Sequence, residues 1–554
     1  MTVERPIDNP VHFPSDRRVH VWVQPRVIVV VFGLALIALG AAWIQFWLTG
    51  LPTIAANPQL HSVVNGPSGF PVWVRITHYV NFLFLIMLFR SGLSILMDHP
   101  RLYWNDHCTP GSEWLRFTPL TVPADRVWTA KEDARYISPW LGLPGYRHTI
   151  GTARHWHFLS VIFWLGNGLI FVNLLMCTDQ WKRLVPKSWQ VLPDAWSVFV
   201  HYATCHLPDE PNGFYQFNAL QQLAYFSVVF VLAPLSLLTG LAMSPALDNR
   251  YRWYPKLFGG RQCARSIHFL LVLSYVAFLI PHVAMAALTG LRQNANHIML
   301  GTDDATPTGL ILGLFGIAGV AALCVVAHRV SWTSPRAIQY AARALAGPVG
   351  RFLFGRLKPS ARYDQADISP RLWPNGKAPT SEQWLELQAG DFQDFRLRVY
   401  GLVENPLELS LEEMRALGKQ EQITMHHCIQ GWTGIAAWGG LPLRTLIELA
   451  KPTPAANVVV FHSFGEGLYG GEYYDTLTLE NALHEQTILA YEMNFQTLPV
   501  LYGAPLRLRV ENQLGHKMVK WIKSVEFVAS EKEVGKGHGG KNEDDEYFPL
   551  VANI

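Results

Sequence analysis

Apolar residues fall along this chain in two regimes. Up to about residue 330 they form six long runs, at 27–48, 73–97, 156–177, 219–243, 266–290 and 308–328. A helix needs roughly 20 apolar residues to cross a bilayer, and every run is long enough. The pattern predicts an all-α transmembrane bundle of six spans rather than the buried helices of one large soluble core. After about 360 the runs shorten to β-type stretches at 396–399, 458–462 and 506–510, with helical segments at 411–417, 443–450 and 479–484 between them. That alternation predicts a mixed α+β domain. The 554 residues divide into a tail (1–26), a transmembrane domain (27–328), a basic linker (329–370) and a soluble domain (371–554).

Charge adds an orientation. The N-terminal tail, the loops 98–154 and 244–265 and the start of the linker carry nineteen Lys and Arg, whereas the opposite loops carry five: Arg75, Lys182, Arg183, Lys187 and Arg292. The positive-inside rule then puts both termini and the soluble domain in the cytoplasm of a bacterial cell membrane. Arg17-Arg18 suggests a twin-arginine export signal, but His20, Gln24 and Arg26 intervene before a long apolar run, so an uncleaved anchor is expected. The linker segment 336–356 has helical patterning with Arg336, Arg343, Arg351 and Arg356, suited to an anionic lipid surface or to solvent. A net charge of +3 gives no reason to expect nucleic acid. The acidic stretch 543–546 reads as solvated.

Histidines inside membrane spans are costly and need a reason. His268 and His282 lie on the fifth span, 14 residues apart. At about 1.5 Å and 100° per residue they are about 21 Å apart and share a face. One helix could thus ligate two stacked haems. By depth, His282 matches His78 on the second span. His268 matches His157 or His155 on the third. The loop motif His201-Tyr-Ala-Thr-Cys205-His206 lacks the CxxCH spacing of a c-type haem; it is open to a metal ion but reads rather as a solvated or packed loop. His297 and His328 read the same way.

In the soluble domain Cys428 follows His426 and His427 and precedes Gln430, Gly431 and Trp432. Its thiol could be a nucleophile, a metal ligand or a buried apolar group. The other cysteines, at 108, 177, 205, 263 and 324, are all more than a hundred residues away, which excludes a local disulfide or CxxC site. The two histidines read equally as polar neighbours. Downstream, Arg507, Lys517 and Lys520 combine with Gly503 and Gly515 to suit a phosphate-bearing ligand, or else form a basic surface strand.

Two resemblances sharpen these readings. Cys428-x-x-x-Trp432, Trp438-Gly-Gly-Leu-Pro-Leu443 and Gly503-Ala-Pro-Leu-Arg-Leu followed by Gly515-x-Lys517-x-x-Lys520 resemble the molybdopterin-binding domain of the sulfite oxidase family, over about 372–554. The resemblance implies that Cys428 is the catalytic thiolate ligand of molybdenum. It implies that Arg507, Lys517 and Lys520 hold the pterin phosphate, with Asn375 and His427 as further cofactor contacts. Arg75-Ile-Thr-His78, Arg90-Ser-Gly-Leu, His155-Trp-His157-Phe, Thr239-Gly-Leu-Ala-Met-Ser-Pro and Arg265-Ser-Ile-His268 resemble the di-haem cytochrome b subunits of formate dehydrogenase and nickel–iron hydrogenase, over 73–300. That resemblance implies haem b on His78 with His282 and on His157 with His268, and a quinone or quinol partner; its His-Phe element favours His157 over His155. Together they imply a quinone-linked molybdenum oxidoreductase acting on a small oxo-transfer substrate, an S- or N-oxide or a sulfite-like anion, with room for a further redox partner. No arginine follows Cys428 closely, which leans away from sulfite and toward sulfoxides, although the family's sulfoxide reductases are exported. The competing reading is an electron-transfer subunit whose C-terminal domain docks a partner without catalysis of its own.

Overall fold

The computed structural model describes residues 19–54, 70–119, 129–145, 150–207, 213–354, 362–550 and 552–554. Residues 1–18 of the expected tail, and Arg356 with the rest of 355–361 in the linker, lie outside the described residues.

Among the described residues six helices are long and apolar enough to cross a membrane: α1 (Pro25–Thr49), α2 (Val72–Leu96), α3 (Ile150–Cys177), α4 (Ala219–Ala242), α5 (Arg261–Leu288) and α6 (Thr308–Thr333). Their sides are largely exposed apolar residues, as a lipid-facing bundle requires. In α1 only Ala42 is buried; this helix stands outside the core and is tied to helix Val191–Ala203 of the loop 178–218, where Trp196 Nε1 donates to Gln45 Oε1 at 2.7 Å. Midway through α4 the turns at Ser227–Leu232 widen to π geometry just before Pro234. Proline has no N–H and its ring crowds the preceding turn, and a wider turn relieves both.

Helix α7 (Pro335–Phe354) follows. The linker was expected to lie on lipid or in solvent. Instead, one face of α7 packs against α3, burying Ile338, Gln339 and Ala342.

The C-terminal domain holds two five-stranded sheets. Its strands are β1 (Arg396–Gly401), β2 (Leu407–Ser410), β3 (Gln420–His427), β4 (Thr433–Pro442), β5 (Val458–Glu466), β6 (Glu472–Thr478), β7 (Thr487–Met493), β8 (Gln496–Thr497), β9 (Arg507–Val510) and β10 (Ile522–Val528). One sheet runs β8-β7-β4-β3 with β9 also pairing β7; the other runs β2-β1-β10-β5-β6. Only the β10–β1 pair is parallel. Val459, Phe461, Leu441, Leu489, Leu508, Val525 and Phe527 form the core between them. Of these ten strands only β1, β5 and β9 were expected from the sequence. β4 is buried at nine consecutive positions, so it shows none of the in–out alternation that marks a strand.

The acidic stretch is a second correction. Glu543, Asp544, Asp545 and Glu546 are only 1–6% exposed. Each carboxylate has a partner: Lys517 for Glu543, His538 for Asp544, Lys536 and Lys541 for Asp545, and Lys131 for Glu546. The segment is clamped between the two domains. Arg336 donates to the carbonyls of Glu543 and Asp544 at 2.7 and 2.8 Å, and Gln339 Nε2 to that of Phe548 at 2.6 Å.

Candidate functional site

Cys428 lies in the β3–β4 hairpin connection. Its amide donates to the Trp432 carbonyl at 3.2 Å, and the Gly431 amide donates back to the Cys428 carbonyl at 3.0 Å. Gly431 has φ +106°, which closes this tight turn without a side-chain clash. The turn presents Cys428 to a cavity of about 970 Å³, its open mouth included. Asn375 Nδ2 lies 3.9 Å from the sulfur. Burial pushes the Cys428 thiol up to about 12. Such a thiol stays protonated until a metal displaces its proton.

Arg507 and Lys520 line the same cavity. Burial, then the neighbouring Arg509, pulls Arg507 down to about 9. Burial, then Arg507, holds Lys520 well below the ordinary lysine range. Arg507 donates to the Tyr502 carbonyl at 3.1 Å and Lys520 to the Leu501 carbonyl at 2.9 Å, yet neither has a carboxylate partner among the described residues, and Arg507 Nε has no hydrogen-bond partner. Two adjacent buried cations without an acid form a seat for an oxyanion. A phosphate-bearing pterin fits that seat, and the soft sulfur of Cys428 fits its metal.

Lys517 and His427 sit elsewhere than expected. Lys517 does not line the cavity; its ammonium is held by Asp475 at 2.5 Å and Glu543 at 2.7 Å. His427 points to the opposite face of β3, 3.8 Å from Asp248 of the membrane domain. The rings that line the cavity are those of His426 and His516. Strand alternation puts His426 and Cys428 on one side, a signal the sequence carried but an irregular apolar pattern hid. Arg509, itself paired with Glu511, donates to His426 Nδ1 at 3.1 Å. With Nδ1 accepting, the neutral ring carries its proton on Nε2, beside Gly515. Asp98 and Lys131 also line the cavity, although both belong to loops of the membrane domain.

The histidines of the bundle pair by helix. The His78 and His282 rings lie 6.5 Å apart, centroid to centroid. Two metal–nitrogen bonds of about 2 Å fit between them. His157 Nδ1 is 3.2 Å from Ser91 Oγ, and His268 Nδ1 is 3.0 Å from Thr239 Oγ1. Each hydroxyl already donates to its own helix, to Met87 O and Leu235 O, both at 2.7 Å. Each therefore accepts the Nδ1 proton and leaves the Nε2 lone pair for a metal. Gly92 and Gly240 face these rings, and a Cβ on either would come within 3.6–3.8 Å of the imidazole. His155 is engaged elsewhere, with Nε2 3.2 Å from the Tyr547 carbonyl. No group of three or more His, Cys, Asp or Glu suited to a metal ion occurs among the described residues, so His201, Cys205 and His206 form none.

The Cys428 turn is also the docking contact. Arg261 and Gln262, at the start of α5, donate to the Gly431 carbonyl at 3.0 and 2.9 Å. Ile429 packs with Ile150 of α3 and with Phe548. The turn that carries Cys428 thus rests on the ends of the two helices that carry His157 and His268.

Family comparisons agree with both halves. A model described as prokaryotic cytochrome b561 matches residues 69–301, and one described as an oxidoreductase molybdopterin-binding domain matches 385–535. A putative protein-methionine-sulfoxide reductase subunit YedZ1 from Azospira oryzae is 36% identical over 140 residues, 25% of this chain and 51% of its own. The catalytic subunit MsrP of a protein-methionine-sulfoxide reductase from Campylobacter jejuni is 33% identical over 146 residues, 24% of this chain and 49% of its own. The chain spans about half the length of these curated relatives. The sulfane dehydrogenase SoxCD structure from Paracoccus pantotrophus aligns over 25% of this chain and 39% of its own, at 22% identity and TM-score 0.23. The chain therefore joins a multi-pass membrane domain that matches the cytochrome b561 family to a C-terminal domain that matches the molybdopterin-binding family, of the sulfite-oxidase-like type.

Proposed function

We propose that this protein exchanges electrons between the quinone pool and a small oxo-transfer substrate, and that its substrate is an S-oxide. The observation that carries the reading is the position of Cys428. It lies in a cavity with two unpaired buried cations, on a turn seated on the helices that bear the near histidine pair. Cys428 would hold molybdenum, and Arg507, Lys520 and Asn375 the pterin. The near pair, His157 and His268, and the far pair, His78 and His282, would each hold one haem b. The bound molybdenum–pterin supplies two-electron oxygen-atom exchange. Reduction of a sulfoxide then consumes two electrons and two protons, both available from one quinol, and yields a sulfide and water.

The chain's own residues set the conditions for this step. His426 offers its Nε2 proton to an oxygen atom in the cavity. Trp432, Trp373 and Trp521 give the walls an apolar surface that suits a neutral, polarisable sulfur substrate. The two similar proteins, a putative protein-methionine-sulfoxide reductase subunit and the catalytic subunit of such a reductase, support the substrate class.

Purified protein should contain one molybdenum and two haems per chain, release a fluorescent pterin on oxidation, and oxidise a quinol on addition of a methyl sulfoxide. Haem without molybdenum would make the C-terminal domain a docking module. Charge bias, nineteen basic residues against five, supports a cytoplasmic position for this domain. A fluorescent-protein fusion after Ile554 should glow; alkaline phosphatase activity from the same position would reverse the topology.

A further inference from the structure

Arg154 lies between Cys428 and His157, and among the described residues it has no carboxylate partner. It lies on α3 three residues before His157, about 4.5 Å along the axis and on the same side of the helix. Its guanidinium is within electrostatic reach of Cys428 and Arg261 on the docked side, of His516 in the cavity wall, and of His157 below. Its Cζ sits 5.4 Å from the Phe158 ring centre. Its Nε is buried without a hydrogen-bond partner. Among the described residues no carboxylate pairs with it. The acids of the nearby clamp are engaged, Glu543 with Lys517 and His516 and Glu546 with Lys131.

A guanidinium has five donors, and leaving them unmet away from water is expensive. Arg261, the cation beside it, spends its own donors on the Met243 and Gly431 carbonyls. Arg154, beside that second arginine and with its own Nε buried and unmet, offers a seat to an oxyanion that arrives with a ligand. The cavity's own cations are Arg507, Lys520 and Lys131, and Arg154 does not line the cavity. It lies instead one helical turn from His157, within electrostatic reach of that ring.

We propose that Arg154 is the seat of a carboxylate side chain of the haem held by His157 and His268. That contact fixes the edge of the group directly beneath the Cys428 turn, where electrons cross between the domains. Haem carries two such carboxylates, and Arg154 is placed to neutralise one of them. The assignment rests on haem binding to this pair, as proposed above.

The test is spectroelectrochemical titration of both haems in the purified, detergent-solubilised full chain, for the parent, Arg154→Leu, Arg154→Gln and Arg154→Lys. Removing a cation favours the ferric form. In the Leu and Gln variants the near haem should shift to lower potential by about tenfold in its ferric-to-ferrous ratio, which is 59 mV for one electron. The far haem should not move, and Arg154→Lys should keep most of the parent value. Selective loss of the near haem, with the far haem retained, supports the same seat. Unchanged potentials at both haems overturn it. If pterin content or substrate KM changes while both potentials hold, the oxyanion belongs to the cavity side and the assignment is again overturned. A parent protein without haem would fail the functional reading itself, a result distinct from either.

Discussion

Lys517→Met separates a structural lysine from a ligand-binding one. In the folded chain Lys517 is the shared cation of two buried carboxylates, Asp475 at 2.5 Å and Glu543 at 2.7 Å, each 1% exposed. Burial alone would raise Glu543, but Lys517 and His516 outweigh it and hold the carboxyl down at about 2. Burial, then the adjacent Glu543, pushes Asp475 well above the ordinary carboxylate range. Lys517 is thus the one cation that two adjacent buried carboxylates share. Methionine fills the space of the lysine stem and removes only the charge. Breaking a buried pair from one side costs about 3–5 kcal/mol, because the other charge is left uncompensated. At roughly 2–4 °C per kcal/mol for a domain of this size, the C-terminal domain should unfold about 6–20 °C earlier, read by tryptophan fluorescence. The sign with pH is fixed. A depressed carboxylate stabilises the fold above its unfolded value, near 4.5, and loses that contribution as pH falls toward 2. In the variant the unpaired Glu543 becomes a liability that protonation relieves, so the deficit should shrink between pH 7 and pH 4. If Lys517→Met unfolds with the parent but loses pterin, Lys517 serves the ligand and the ion-pair account is wrong.

Other outcomes follow from the site. Cys428→Ser should leave the haem spectrum intact and abolish turnover, since an alkoxide replaces a soft sulfur ligand; normal activity in the purified variant would remove Cys428 from the metal. His282→Ala should leave one haem per chain and block quinol-linked activity, while a reduced dye still drives sulfoxide reduction; two retained haems would break the His78–His282 pairing. Gly515→Ala should lower molybdenum and pterin content several-fold with haem unchanged, because its Cβ would overlap the His426 ring; parent-like content would show that the wall yields there.

The sequence by itself determined whatever depends on local pattern. Lipid demands unbroken apolar runs, so the six spans were readable one at a time. Helical periodicity placed His268 and His282 on one face of α5 without any knowledge of its neighbours. The motif residues Cys428, Asn375, Arg507 and Lys520 come together in one cavity although up to 145 positions separate them in the chain. The tertiary structure decided what each charge and ring faces. β4 is invisible to alternation because both of its faces are buried. Lys517 and Lys520 look equivalent in sequence, yet their side chains leave the short Gly515–Lys517 turn and the strand beyond it on different sides, one toward the acids of β6 and the C-terminal segment and one toward the cavity. The stretch 543–546 looks like solvent-facing acid, but the docked domain supplies Lys131 and Arg336 and the segment itself meets Lys517, so it is buried. Asp98 and Lys131 join the cavity from the membrane domain, and Ser91 and Thr239 set the tautomers of His157 and His268 from neighbouring helices. Such pairings cross between elements distant in sequence, and only the packing of one helix or domain on another creates them.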